Sequence, residues 1–400
     1  MVENMSGVFG VFRFCALFVF VAFATIASGA ESSAQKDFDL PKDIAKLRAS
    51  YLRPSSEWIA PHIDFSLIGA DSAQNAESKG AKSKNADSGV SYRELAPLPP
   101  APPYPESNPY TKQKAELGRK LFHDPKLSKS DQIACASCHD KELGFGDGRR
   151  VSYGHDRQLG RRNSPSIIMS AFGEEKFWDG RAKSLEDQAL MPIIDPKEMA
   201  YDPKKAAKKL SKIASYRADF NEAFGTPKIT QERIAQAIAT YERSLMPRAG
   251  KFDRFLQGQA DALNDEELWG LHLFRTKARC LNCHDGVEMS DGKYHNLGLT
   301  YYGRMYEDLG RYEVSGDRRD VGRFKTPSLR GVSRSAPYMH NGLFPNLKGV
   351  INAYNGGMFR PRPTAEQQDD PLFPTTDALL KPLGLSEAEK RALEAFLMTL

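Results

Sequence analysis

One five-residue pattern occurs twice and constrains this chain more than any other feature: Cys135–His139 reads CASCH and Cys280–His284 reads CLNCH. Two thiols separated by two residues can form thioethers with the two vinyl groups of a haem. The adjacent histidine is then held beneath the iron as its ligand. The same four sulfurs could instead bind a single zinc ion or form two redox dithiols. Both copies carry the histidine, and the chain holds only one further cysteine, Cys15. A protein with two covalently attached c-type haems accounts for all of these features.

Cys15 lies in an uncharged apolar run from Phe14 to Ala27, and small residues follow in ASGAES. This is the pattern of a secretory signal over residues 1–30, cut near Ala30, with an uncleaved membrane anchor as the alternative. Export to the periplasm follows. Four cysteines in an oxidising compartment would ordinarily suggest two disulfides, but the paired motifs indicate haem attachment instead. The formal charge of +5 over 400 residues is too weak to suggest a nucleic-acid partner, and 40% hydrophobic content is enough for two ordinary domains.

Residues 31–110 mix a flexible stretch, AQNAESKGAKSKNADSGV, with a proline-rich approach, PLPPAPPYPESNP. They are expected to act as a linker extension with little core, apart from a short packed piece around Tyr51 to Ile68. From Thr111 the pattern turns helical. Thr230 reads as the N-cap of a helix that places Ile234, Ile238, Tyr241 and Leu245 on one face, and Ser386 and Glu389 stand in capping-box spacing. Alternating strands are scarce. An internal echo, ELGRKLF before the first motif and LWGLHLF before the second, implies two homologous haem-bearing units. The expected fold is therefore mainly α, with two cytochrome c-like haem domains and long loops. Residues 111–255 would form the first domain and 256–400 the second.

Four further segments sharpen this reading: RRNSPSIIMSAF, FWDGRAKSLEDQALMPIIDPKEM, YHNLGL and PSLRGVSRSAPYMHNGLF. In this order they resemble the signature segments of the bacterial dihaem cytochrome c peroxidase and MauG family, over roughly residues 111–400. The resemblance makes His139 the proximal ligand of a peroxidatic haem and His284 that of an electron-transfer haem. Trp178 matches the tryptophan between the two haems. Glu198 matches the family's distal glutamate, a group that can take a proton from peroxide and return it to the leaving oxygen. Gln188 and Pro192 match the other distal positions. His155 stands eight residues before Asn163, where a distal histidine blocks the resting iron in the peroxidase branch; an exposed loop histidine is the plain alternative. Asn163, Ser335 and Pro337 match the oxygen donors of a calcium ion between domains.

The remaining ligand of the second haem belongs to HNGLFPNLKGVINAYNGGMF. In this family it follows the histidine of PYxHxG by fourteen residues, as methionine in the peroxidase branch and as tyrosine in MauG-like members. Here that position is Tyr354, with Met358 as competitor beyond two glycines. Phenolate stabilises ferric iron, whereas thioether raises the potential.

His155 and Glu198 point to a peroxidase that reduces H2O2 with electrons from a small cytochrome c or cupredoxin, entering at the second haem and passing through Trp178. Tyr354 points instead to a MauG-like oxidase acting on a protein. However, Ala278 occupies the position where MauG proteins carry their surface tryptophan. A non-catalytic electron-transfer protein is the third reading. Dimers are common in the peroxidase branch, so the resemblance admits a homodimer.

Overall fold

The computed structural model describes residues 41–72 and 92–400. The expected signal segment, Cys15 and the low-complexity run after Ser72 lie outside the described residues. The helices, in chain order, are α1 (Ile44–Tyr51), α2 (Phe65–Ser72), α3 (Lys112–His123), α4 (Leu185–Ile194), α5 (Pro203–Leu210) and α6 (Ala214–Phe224). They continue with α7 (Gln231–Arg243), α8 (Lys251–Leu256), α9 (Asp265–Arg275), α10 (Tyr312–Ser315), α11 (Leu347–Asn355) and α12 (Glu387–Leu397). Among the described residues the one sheet is an antiparallel pair, β1 (Tyr294–His295) and β2 (Phe324–Lys325). The fold is mainly helical with long loops.

The helix starts follow from local chemistry. Thr111, Thr230 and Ser386 each accept a hydrogen bond from the backbone N–H three residues on, and Glu389 reaches back to Ser386 N at 2.8 Å. Each bond satisfies a donor that the first helical turn would otherwise leave unpaired. Pro192 sits inside α4.

α3 packs against α7 and α6 around buried Leu117, Leu121, Phe122, Phe220, Ile234 and Ile238. In the second half α9 packs on α12, and Phe396 lies edge-on to Phe252 and Phe274 at 5.2 and 5.4 Å. The repeated glycine of the two echo segments stands at the same point of each pair. A Cβ on Gly118 would lie 1.9 Å from Ala237 O, and one on Gly270 would lie 2.0 Å from Ala392 O. Both helix pairs therefore approach more closely than any side chain would permit.

The extension contains the short packed piece expected around Tyr51 to Ile68, and its buried residues reach further, to Leu95. Tyr51, Trp58 and Leu95 are buried, and the reason is Arg275. This residue, 1% exposed, ends α9 with a guanidinium that must find partners. It finds Glu94 Oε2 at 2.7 Å, Ile59 O at 2.6 Å and Tyr51 OH at 3.2 Å, all from the extension. The described residues all fall within one unit. Among the described residues no helix is long and apolar enough to cross a membrane.

Candidate dihaem site

Each CxxCH motif forms a 3-10 turn in which the histidine N–H donates to the first cysteine's carbonyl, at 3.0 Å for His139 and 2.9 Å for His284. The two imidazoles are anchored alike. His139 Nδ1 lies 2.9 Å from Phe145 O, and His284 Nδ1 lies 2.9 Å from Met289 O. A carbonyl can only accept, so Nδ1 carries the proton and the Nε2 lone pair is left for a metal. Burial holds both imidazoles below their ordinary pKa, which keeps them neutral as ligation requires. All four cysteines are free thiols. This donor set, with thiols beside oriented and neutral imidazoles, fits two covalently attached haems.

A cavity of about 410 Å³ receives both His139 and His284. Cys280, Cys283, Trp178, Gln188, Asn163, Ser335, Pro337 and Tyr354 also line it. Tyr354 is placed by α11, which begins at the Asn346 cap and stops at Gly356 and Gly357. Its hydroxyl has no hydrogen-bond partner among the described residues, and burial together with Cys283 and Cys280 pushes its pKa above the ordinary phenol value. Met358 adopts a left-handed backbone, φ 59°, after the glycines and is buried away from the cavity.

Trp178 is held by its indole N–H, which donates to Asn163 O at 2.9 Å, and by its carbonyl, which accepts from Lys325 N at 2.7 Å. Beside it His340 lies edge-on at 6.4 Å and stacks on Phe324 at 3.5 Å, with 9° between the planes. Burial lowers the His340 pKa to about 3, and its Nε2 has no partner. Asn163 also accepts no hydrogen bond at its side-chain oxygen among the described residues. Its N–H donates to His340 O at 2.7 Å, which brings it to the loop of Ser335 and Pro337. A side-chain oxygen beside a carbonyl-rich loop suits a hard cation.

Glu198 does not line this cavity. Burial raises the Cys135 and Cys138 thiols and nearby Glu198 adds a smaller push to each, while its own carboxyl is pushed up by burial and by Asp195. His155 joins it through the backbone, donating from N–H to Glu198 O at 2.7 Å. The His155 ring is buried outside the cavity wall with an unpartnered Nδ1.

Sequence reasoning missed the extension's hold on the second motif. The Arg93 guanidinium grips Asp285, next to His284, at 2.8 Å and Glu288 at 2.9 Å, while Asp64 N and His62 O bracket the side chain of Asn282. No local pattern links Arg93 to a loop almost two hundred residues away. His295 was also missed as a charged group. It bridges Asp377 at 2.6 Å and Asp291 at 2.9 Å, and Cys283 together with these carboxylates holds it well above its ordinary pKa against the cost of burial.

Two thioether-forming turns with oriented histidines, opening on one cavity in a mainly helical frame, define a covalent dihaem cytochrome. Residues 112–261 match the family model described as di-haem cytochrome c peroxidase. The cytochrome c551 peroxidase of Nitrosomonas europaea is 39% identical over 258 residues, 64% of this chain and 77% of that protein. The methylamine utilization protein MauG of Methylorubrum extorquens is 36% identical over 331 residues, 80% of this chain and 88% of that protein. The solved structure of a MauG-like protein associated with microbial copper homeostasis superposes with a TM-score of 0.68 at 32% identity, covering 76% of this chain and 94% of that one. The chain belongs to the dihaem cytochrome c peroxidase and MauG family. It is an oxidoreductase of the cytochrome c peroxidase kind and carries two c-type haems.

Proposed function

We propose that this protein is a periplasmic peroxidase that converts H2O2, two electrons and two protons into two waters, with the electrons supplied by a small cytochrome c or cupredoxin. The supporting observation is the single cavity that receives both tethered histidines together with Trp178, Gln188 and Tyr354. Residues 111–255 would form the peroxidatic domain and 256–400 the electron-accepting one.

Cys135, Cys138 and His139 would hold one haem, and Cys280, Cys283, His284 and Tyr354 the other; when bound, these groups supply the redox chemistry and a site for peroxide. Glu198 accepts a proton from one peroxide oxygen and delivers it to the leaving oxygen, which departs as water. Gln188 presents an amide to the cavity and orients the peroxide. The Trp178 indole, fixed between Asn163 and Lys325, shortens the tunnelling path between the two sites. His155 rides on the loop paired with Glu198, so movement of one shifts the other, and a resting ligand at His155 would leave by such a loop movement. Asn163, Ser335 and Pro337 would hold one calcium ion between the domains, and a homodimer is the assembly this branch admits.

Steady-state turnover of H2O2 with a reduced cytochrome donor tests the reading. Activity is expected in the parent protein and loss of it in Glu198→Gln. Full peroxide reactivity in Glu198→Gln would leave only electron transfer.

One observation favours a second reading. Tyr354, not Met358, lines the cavity, and a hard anionic donor would give the second haem a low potential. That suits storage of oxidising equivalents and their delivery to a residue of a protein substrate, as in a MauG-like oxidase. Oxidising equivalents that persist after peroxide addition, with no turnover of small donors, would select it.

A further inference from the structure

Five lysines and arginines line the cavity: Lys176, Arg279, Lys325, Arg330 and Lys381. Three of them have an acid at hand. Arg330 pairs with buried Asp253 at 2.9 Å, and Arg279 and Lys381 each lie 3.7 Å from Asp64. Lys176 and Lys325 have no carboxylate within ion-pair distance among the described residues. The Lys176 ammonium donates only to backbone carbonyls, Ser170 O at 2.8 Å, Phe172 O at 3.1 Å and Gly173 O at 2.5 Å. The Lys325 ammonium donates to Glu175 O and comes within 3.2 Å of where a Gly173 side chain would begin. The two cations therefore share one corner of the cavity, next to Trp178.

The nearest acids offset them only through space, without pairing with them. Glu175 is committed to Arg311 at 2.9 Å, to Lys183 and to the Tyr294 hydroxyl. Glu242, 4% exposed, lines the same wall and leaves Oε2 without a partner. Burial dominates at each of the three groups. It pulls Lys176 down to about 7, helped by Lys325, it lowers Lys325, and it raises Glu242 to about 8. Two half-buried like charges beside an acid that resists ionising are costly unless the occupant of the cavity brings negative charge.

We propose that Lys176 and Lys325 form a two-ammonium subsite that takes the carboxylate edge of a bound haem, with Glu242 as the third member of its wall. A haem carries two carboxylates on one edge, which matches two adjacent ammonium groups and a carboxyl able to donate a hydrogen bond. A cation at that edge offsets the carboxylate's negative charge and favours the reduced iron. Both lysines are thus positioning residues that raise the potential of the haem they hold.

Spectroelectrochemical titration of the holoenzyme resolves the two haems by their spectra and shows which one responds. In Lys176→Met and in Lys325→Met, the midpoint of that haem should fall, so that its ferric:ferrous ratio at a fixed potential rises by about tenfold, equivalent to ~59 mV for one electron. The propionate bending band in resonance Raman should shift in the same variants, and both readouts should return to parent values in the Lys→Arg variants. Lys176 also ties down the loop from Ser170 to Gly173. If its variant does not fold, Lys325→Met, whose ammonium donates to a single carbonyl, decides alone. Unchanged potentials together with an unshifted propionate band, in folded variants carrying both haems, would overturn the proposal.

Discussion

Gly118→Ala isolates the contact that sets the first haem half. The new Cβ would lie 1.9 Å from Ala237 O and 2.8 Å from the Cβ of Tyr241. Carbon–oxygen contacts ordinarily stay beyond about 3.3 Å, so α3 must retreat from α7 by more than an ångström. That movement loosens Leu117, Leu121 and Phe122 against Ile234 and Ile238. Overpacking of this kind costs about 3 kcal/mol at the upper end, and replacing glycine by alanine in a helix returns roughly 1 kcal/mol. The net expectation is a loss of about 2 kcal/mol, read as a lower urea midpoint at an unchanged slope. Phe122 lies 6.4 Å from the His139 ring, so the spectrum of the first haem should change while that of the second stays as it was. Gly270→Ala, 2.0 Å from Ala392 O, should reverse that assignment. Gly349→Ala in α11 serves as the control. Its nearest neighbours stand at 3.4 and 3.7 Å, so it should be neutral or stabilising by up to ~1 kcal/mol. Unchanged or increased stability in both Gly118→Ala and Gly270→Ala would refute the argument that close helix approach demands these glycines.

Three further outcomes are expected. Tyr354→Met should raise the second haem's potential and replace any phenolate signature in the electronic and EPR spectra; a spectrum identical to the parent's would remove Tyr354 from the ligand set. Asp308 is buried and held well below the ordinary carboxylate range by Arg162, at 2.7 and 2.8 Å, and by Arg161 at 2.6 Å. A lowered folded pKa gives stability that is present above the ordinary carboxylate pKa of about 4 and lost as pH falls below it. Asp308→Asn should therefore cost about 3 kcal/mol at pH 7, and the gap between variant and parent in denaturant unfolding should close in acid. Chelation with EDTA should reduce peroxide turnover and be reversed by Ca²⁺ if Asn163, Ser335 and Pro337 hold that ion; full activity in a metal-free preparation would argue against it.

The cysteine–histidine turns, the helix caps and the glycine stop before Met358 were legible in the chain because each is local chemistry within a few residues. A thiol spacing, a side-chain oxygen at a helix start or a pair of glycines acts on its immediate neighbours whatever surrounds it. The family segments extended that reading to Trp178, Glu198 and Tyr354 as residues, without their surroundings. Tertiary structure alone decided the rest. It directed Tyr354 to the cavity and Met358 away from it, and it drew the extension onto Arg275 and Asp285 through Glu94 and Arg93. It also gathered Lys176, Lys325 and Glu242 at one corner. These outcomes depend on burial and charge compensation between segments tens to hundreds of residues apart, and a buried cation seeks whichever anion the packing brings near it.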